Sequence, residues 1–405
     1  MNLSFNFVAD ATVKGRIYPA LARHQARPYT QAWREFGQHW PYTTPLRLQE
    51  YCEQHSVPIN IFSIHDVLPP NTFYPIGIGF FDFDIDYFEL LNADVRKRLR
   101  QGDLRLLFYY HEGDNPVRIK NRLDILAEQH LMPGNCYVFV SANSAAAKLP
   151  GFVTFHDFEL WYYQRNLHQE PLSIHNQPRE RDFTCLSRMH KWWRATAMAD
   201  LWQSGLLDNS YWSYCESASG ADDDCPIEVD MISRLRYERK KFLEGAPYIS
   251  DELDFDQRND HSVLIPKYHV NSYCNIVLES QFDVDQSGGC FITEKTFKPI
   301  KHGQMFFVAG GAGSLQVLRD LGYRVFDNIL DNDYDHEHNH TQRWIDLTKA
   351  IYDAKQHLPK LFEQCKADIE YNQQLFQSSK AGRLNTLIER INEQHRELLY
   401  QLATT

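Results

Sequence analysis

The sequence predicts an α/β protein of two domains built on parallel sheets, and three observations predict it. Strand-like apolar runs alternate with helix-spaced amphipathic stretches in both halves of the chain. The strand runs end in small polar or charged residues, as loops at the carboxyl ends of parallel strands do where they face a ligand. The length, 405 residues, exceeds what a single core usually organises.

In the first half, the helix-spaced "TPLRLQEYCEQH" (44–55) precedes "PINIFSIHD" (58–66), which reads as a buried strand running into a polar loop. "ELLNADVRKRLRQGD" (89–103) has helical spacing and a breaker, followed by the strand "LRLLFYY" (104–110) and the loop "HEGDNP" (111–116). "VRIKNRLDILAEQHLMPGN" (117–135) is a helix stopped by Pro-Gly, and "CYVFVSAN" (136–143) is another strand. Parallel pairing of these strands puts His65, Asp66, His111, Glu112, Asp114, Ser141 and Asn143 on one expected rim.

A polar, Pro-containing stretch (162–182) leads into a second series, with the domain boundary expected near 175. "FTCLSRMHKWWRATAMADLWQSGLLD" (183–208) opens as a strand passing into a helix. The charge-rich stretch 213–261 reads as a surface insertion. Alternation resumes with "SYCNIVLES" (272–280), then "GGCFITEKTFKPIKHGQMFFVAGGAG" (288–313) and "YRVFD" (323–327). From Thr341 onward the chain is helical and amphipathic without a sustained heptad, which predicts packing back across the domains rather than a coiled coil.

Composition narrows the classes. A net charge of −11 argues against a surface that coats nucleic acid generally, though not against a local basic groove. No run reaches the roughly 18 to 20 apolar residues of a membrane span. The start, "MNLSFNFVADATVKGRIYP", carries charges where a signal peptide is apolar, so a cytoplasmic location is expected. The eight scattered cysteines lack any CxxC and read as buried free thiols.

Chemistry concentrates in a few places. Glu294 and Lys295 begin a helix after the glycine loop Ser287-Gly288-Gly289. The pair suits either a surface ion pair or a nucleotide phosphate held at a helix N-terminus. "CLSRMHKWWR" brings Arg188, Lys191 and Arg194 to a strand-to-helix passage. Cations there oppose the helix dipole unless an anion compensates, and arginine forks suit a pyrophosphate. In "HEGDNP", Glu112 is the candidate general base for an acceptor hydroxyl, with Asp66 and His65 in reserve, while Asp114 reads as a turn or cap residue. "FFDFDIDYF" carries Asp82, Asp84 and Asp86 at the alternation of a half-exposed strand. "DNDYDHEHNH" carries Asp331, Asp333, Asp335, His336, His338 and His340. Both runs read as non-metal, and no metal or cofactor is expected. "AGGAGSL" (309–315) lacks the third glycine of a dinucleotide fingerprint and reads as a tight turn.

"FITEKTFKPIKHGQMFFVAGGAGSLQVLRDLGYRVFDNILDNDYD", together with "CLSRMHKWWRATAMADLWQSGLLDNSYWS", resembles a group of bacterial and phage glycosyltransferases distantly related to the α1,3-fucosyltransferases. The resemblance covers about a third of the chain. It implies the GT-B fold: two Rossmann-like domains facing each other across a cleft, here 1–175 for the acceptor and 176–345 for the nucleotide-sugar donor, with a helical segment 346–405. It also implies that Thr293, Glu294 and Lys295 touch the ribose or sugar and the phosphates. Arg188 and Arg194, with Lys191 beside them, would neutralise the pyrophosphate without a metal. Where the family tends to have Asn-Arg this chain has Ser187-Arg188, so the contact of that Asn lacks a counterpart.

The expectation is therefore a glycosyltransferase moving a sugar from a nucleoside diphosphate to a hydroxyl, with inversion. The acceptor is a glycan, a lipid-linked glycan or a hydroxymethylated DNA base. The rival is a non-catalytic nucleotide- or glycan-binding protein on the same fold. Oligomeric state is not legible.

Overall fold

The computed structural model describes residues 5–8, 48, 51–78, 83–166, 171, 178–188, 191–214, 233–249, 265–282 and 289–404. Asp82, the Ser287-Gly288 part of the glycine loop and most of the charge-rich stretch 213–261 lie outside these residues. The chain divides into two compact units. Unit 1 is Met1–Asp157 with Ser379–Thr405, and unit 2 is Phe158–Ser378. In both, the named strands pair in parallel and most of them are joined through helices, the α/β class expected; an isolated antiparallel bridge joins Tyr214 to Tyr248.

The sheet of unit 1 has the order β2-β1-β3-β4-β5-β6. Its strands are β1 Phe5–Val8, β2 Ile59–Phe62, β3 Thr72–Ile78, β4 Arg105–Tyr110, β5 Tyr137–Ser141 and β6 Phe152–Thr154. β4 and β5, buried along their whole length, form the middle of the core, as near-continuous apolar runs in parallel sheets do. β2 is an edge strand with Ile61 half exposed, not the buried strand that its apolar run suggests. β3 holds Pro75 in its interior. Its ladder to β1 pairs only Thr72 and Phe73, so Pro75 lies beyond that pairing. Helix α1 (Ala93–Gln101) starts on Asn92, whose side chain accepts from Val95 N at 2.8 Å, and stops at left-handed Gly102. Helix α2 (Pro116–Gln129) is capped by Asn115 rather than by Asp114.

The described part of the acidic run after β3, with Asp84 and Asp86, lies in turns rather than in a half-exposed strand. Asp86 accepts from Phe88 N and Glu89 N, and its other oxygen lies 2.8 Å from His130 Nε2. Alternating Asp and apolar residues satisfy a strand pattern, but an Asp side chain that bonds the backbone two and three residues on favours a turn.

The units divide at Asp157, some way before residue 175. Helix α3 (Asp157–Arg165) belongs to unit 2 because its aromatic face packs there: Phe158 meets Phe291, and Tyr162 meets Phe376 and hydrogen-bonds His302. The sheet of unit 2 has the order β10-β9-β7-β8. It comprises β7 Arg181–Ser187, β8 Tyr211–Tyr214, β9 Ser272–Leu278 and β10 Met305–Ala309. Helix α4 (Trp192–Gln203) connects β7 to β8. Helix α5 (Ser233–Glu244), inside the supposed surface insertion, instead buries Phe242 among Trp202, Trp212, Tyr214 and Tyr248.

The short helix α6 (Pro266–Val270) leads into β9, α7 (Glu294–His302) into β10, and α8 (Ser314–Asp320) follows β10. "YRVFD" is not a strand; Phe326 takes a left-handed φ of 66° there. Of the C-terminal helices, α9 (His340–Lys355) and α10 (Leu358–Gln377) stay in unit 2, where Phe297 meets Phe376. The last, α11 (Ala381–Thr404), returns to unit 1, where Gln394 accepts from Gly151 N at 2.8 Å. The six described cysteines are buried free thiols. No described helix is long and apolar enough to cross a membrane.

Unit 2 also buries two neutral imidazoles. His269 Nδ1 lies 2.5 Å from Gln304 Oε1, and His302 Nε2 lies 3.2 Å from the Tyr162 hydroxyl. Burial pushes their pKa values down from 6.5 to about 4 and about 2. The unfolded chain therefore binds protons that the native state refuses, and stability present above about pH 6.5 is lost as pH falls toward about 4. The urea midpoint should fall steadily between pH 7 and about 4.5, and His269→Gln should flatten that slope.

Candidate functional site

The candidate site of unit 2 forms at the carboxyl edge of its sheet, where β9 ends and α7 begins. Glu279, directly after β9, is fully buried. Its carboxylate accepts from Thr293 N at 3.0 Å, Thr293 Oγ1 at 2.6 Å, Thr296 Oγ1 at 2.5 Å and Ser280 N at 3.1 Å. A buried carboxylate persists only when donors surround it, and these four fix the start of α7 against the end of β9.

On this base sit the sequence-predicted residues. Thr293 is the N-cap of α7. Glu294, in the first turn, is buried, and its Oε1 accepts from Lys295 Nζ at 3.0 Å. Lys295 Nζ also reaches Thr293 Oγ1 at 3.2 Å and Ser280 Oγ at 3.3 Å, with about a quarter of its side chain (23%) exposed. From the other side, Lys191 Nζ donates to Ser280 O at 2.7 Å. Arg194, on the first turn of α4, donates from Nε (3.1 Å) and Nη2 (2.6 Å) to Glu279 O. Arg188 follows β7 and is half buried.

The structure thus gathers Lys191, Arg194, Thr293, Glu294 and Lys295 around Glu279 and Ser280. Arg188 is near enough for its charge to act on Arg194. Arg194 is almost wholly buried, and desolvation pulls its pKa down to about 10. Glu279 and Glu294 oppose that shift, and Arg188 adds to it. Its fork is committed to the main chain, so Arg194 contributes field and rigidity rather than an open bidentate grip. Lys295, Lys191 and Arg188 are the cations with exposed surface. Among the described residues, four cations here face two carboxylates, an excess of positive charge at a helix start that favours an anionic ligand.

The glycine turn after β10 is different. Asp335, buried, accepts from Leu315 N at 3.0 Å and Gln316 N at 3.2 Å, and its carbonyl takes Gly313 N at 2.8 Å. The chain's own carboxylate occupies the start of α8, and burial raises that carboxyl's pKa despite these donors. The dinucleotide-like "AGGAGSL" is a self-capped turn. Among the described residues, no cluster of His, Cys, Asp or Glu is arranged to hold a metal ion.

In unit 1 the expected rim separates into two ends of the sheet. Glu112 lies after the carboxyl end of β4, with its side chain partly exposed and its Oε1 3.8 Å from Nε2 of buried His111. Its loop is fastened by Ala142 N to Glu112 O (3.3 Å) and Asn143 Nδ2 to Gly113 O (2.9 Å). Asp114 instead accepts the Tyr110 hydroxyl. His65 and Asp66 do not join Glu112. Because β2 and β3 are parallel, residues 63–71 must run back to the amino end of β3, and Asp66 O accepts there from Arg98 Nη2 at 2.8 Å.

Glu279 is the site residue that sequence reading does not single out. Its signal was an acid closing the apolar run "SYCNIVLE", a position that a buried strand end tolerates only with dedicated donors.

No protein-family model matches the sequence, and no curated protein matches it. A solved structure of the DNA-modifying enzyme β-glucosyltransferase, with and without its substrate uridine diphosphoglucose, aligns over 97% of this chain and 100% of its own at 9% identity and a TM-score of 0.38. A T4 phage β-glucosyltransferase point mutant bound to UDP-glucose aligns over 86% of this chain and 91% of its own, at 11% identity and a TM-score of 0.30. Likenesses this weak carry no argument about this chain.

Glu279→Ala strands four donors in a buried place and should cost roughly 3 kcal/mol or more in urea unfolding. Lys295→Ala, removing a partly exposed partner, should cost less, about 1 to 2 kcal/mol. Equal losses would show that Glu279 is not what holds the two elements together.

Proposed function

We propose that this chain is a glycosyltransferase of the GT-B type that moves a sugar from a nucleoside diphosphate to an acceptor hydroxyl. Unit 2 holds the donor. The observation that carries the reading is the cationic cluster around Ser280 and the start of α7, where Lys295, Lys191, Arg188 and Arg194 outnumber the carboxylates among the described residues. Such a cluster suits a diphosphate, and it lies at the carboxyl edge of a parallel sheet, where α/β domains take their ligands. The family resemblance of "FITEKTF" supports the same residues.

The reaction is a direct displacement. The acceptor oxygen forms a bond to the anomeric carbon as the bond to the diphosphate breaks, with inversion. Lys295 and Lys191 stabilise the charge that develops on the leaving diphosphate, and Arg188 and Arg194 add to the field, so that no metal is required. Glu112, a partly exposed carboxylate on a fastened loop, takes the acceptor's proton. His65 and Asp66 leave the list of bases because the fold carries them to the other end of their sheet. The acceptor is a hydroxyl on a glycan, a lipid-linked glycan or a hydroxymethylated DNA base; salt-sensitive binding of duplex DNA would select the last.

A thermal-shift screen against UDP-, GDP-, CMP- and TDP-sugars should single out one nucleotide by a concentration-dependent stabilisation. Lys295→Ala should abolish calorimetric binding of that nucleotide while keeping the fold, and unchanged affinity would remove the site. Glu112→Gln should keep donor binding and lower turnover by at least about 100-fold. Binding without any turnover in the unaltered chain would favour the non-catalytic reading.

A further inference from the structure

Asn143, on the expected rim of unit 1, makes bonds that its own turn does not need. It follows β5 and is 2% exposed. As the N-cap of a short 3₁₀ turn, Ser144–Lys148, it accepts from Ala145 N through Oδ1 at 2.9 Å. Serine, threonine or aspartate would serve as that cap. Of these preferred caps, asparagine alone can also donate across to a second segment. Aspartate has no donor, and serine and threonine have one short hydroxyl for both tasks. Asn143 uses this capacity: its Nδ2 donates to Gly113 O at 2.9 Å, in the loop that carries Glu112.

Asn143 is itself pinned on both sides. Its N donates to Ser141 Oγ at 3.1 Å at the end of β5, and its O accepts from Thr154 Oγ1 at 3.1 Å at the end of β6. The carboxyl ends of β4, β5 and β6 are thus tied together at one side chain. The loop 111–115 is fastened at further points. Ala142 N donates to Glu112 O at 3.3 Å, and Asn115 caps α2 by accepting from Val117 N at 2.9 Å and Arg118 N at 3.2 Å. Of the loop's two acids, Asp114 is committed to the Tyr110 hydroxyl, while the Glu112 side chain keeps 23% of its surface exposed. A carboxylate that must meet a hydroxyl needs such a fixed support, because a loop by itself places a side chain loosely.

We propose that Asn143 is the positioning residue of the general base: it holds the 111–115 loop so that the Glu112 carboxylate stands where the acceptor hydroxyl reaches it. The inference rests on the reading of Glu112 as the base. Asn143 takes no part in the proton transfer. The acceptor's proton goes to Glu112 as its oxygen bonds the anomeric carbon and the diphosphate leaves. The effect of Asn143 is geometric, and a displacement of about 1 Å in a reacting group costs on the order of 100-fold in rate.

The test uses the full chain with the nucleotide-sugar that the thermal-shift screen singles out, water serving as the acceptor, and follows release of the nucleoside diphosphate. Asn143→Ser keeps a capping oxygen and gives up the reach to Gly113 O. It should lower kcat about 10- to 100-fold with the donor KM unchanged, the mark of an interaction that counts in the transition state and not in donor binding. In a chain already carrying Glu112→Gln it should add no further loss, because no base is left to position. An unchanged kcat for Asn143→Ser beside a slowed Glu112→Gln overturns the inference and leaves the base standing. An equal fall in both backgrounds overturns it too, since Asn143 would then act on something other than Glu112. If Glu112→Gln is as fast as the unaltered chain, or the unaltered chain releases no diphosphate, the reading of the base fails and this inference with it. Should urea unfolding show that Asn143→Ser folds poorly, Asn143→Thr, which also caps, takes its place with the same expected outcomes.

Discussion

The buried carboxylate of Glu279 is the constraint on which unit 2's site depends. The end of β9 at Leu278 and the start of α7 at Glu294 meet because one acid accepts from two backbone amides and two threonine hydroxyls. Hydrogen bonds to a charged group are each worth about 1.5 to 3 kcal/mol, enough together to offset the cost of burying the charge. Arg194, lying on the carbonyl of the same residue, adds a favourable field. Lys295 inherits its position from this arrangement, since its ammonium rests on Thr293 and Ser280, both already fixed by Glu279.

The two strand-to-helix turns of unit 2 show how the same local chemistry is put to opposite uses. After β10, Asp335 reaches back to fill the start of α8, and the amides that could have held a phosphate are consumed. After β9, the acid sits beneath the helix start rather than in front of it, and lysines stand at the mouth. Glycine content alone would have favoured the first turn as the ligand site. The partly exposed lysines beside Ser280 favour the second.

Sequence periodicity made most of the inner strands and helices legible, because β4, β5, β9 and β10 are buried runs, β7 is buried at its centre, and clear helical spacing flanks them. It failed where one element breaks its own rule. β3 carries an interior proline, β1, β6 and β8 are three or four residues long, and β2 is apolar yet exposed at an edge. The acidic run after β3 looked like a strand because Asp86, whose side chain forms a turn, stands in an alternation of acids and apolar residues. At the site, Lys191 and Arg194 were visible as cations placed against a helix dipole, Glu294 and Lys295 as an adjacent acid and base at a helix start, and Thr293 through the family resemblance. Glu279 was hidden, since a single acid at the end of an apolar run carries no spacing signal. The separation of His65 and Asp66 from Glu112 was likewise hidden, because it follows from the parallel pairing of β2 with β1 and of β1 with β3.

The central claim is that the lysines and arginines around Ser280 hold a diphosphate. A crystal structure of the chain with the nucleoside diphosphate that stabilises it most tests this directly. The account predicts diphosphate oxygens within hydrogen-bond distance of Lys295 Nζ, at the start of α7. A diphosphate bound elsewhere, with Lys295 Nζ still resting on Ser280, Thr293 and Glu294, would contradict it.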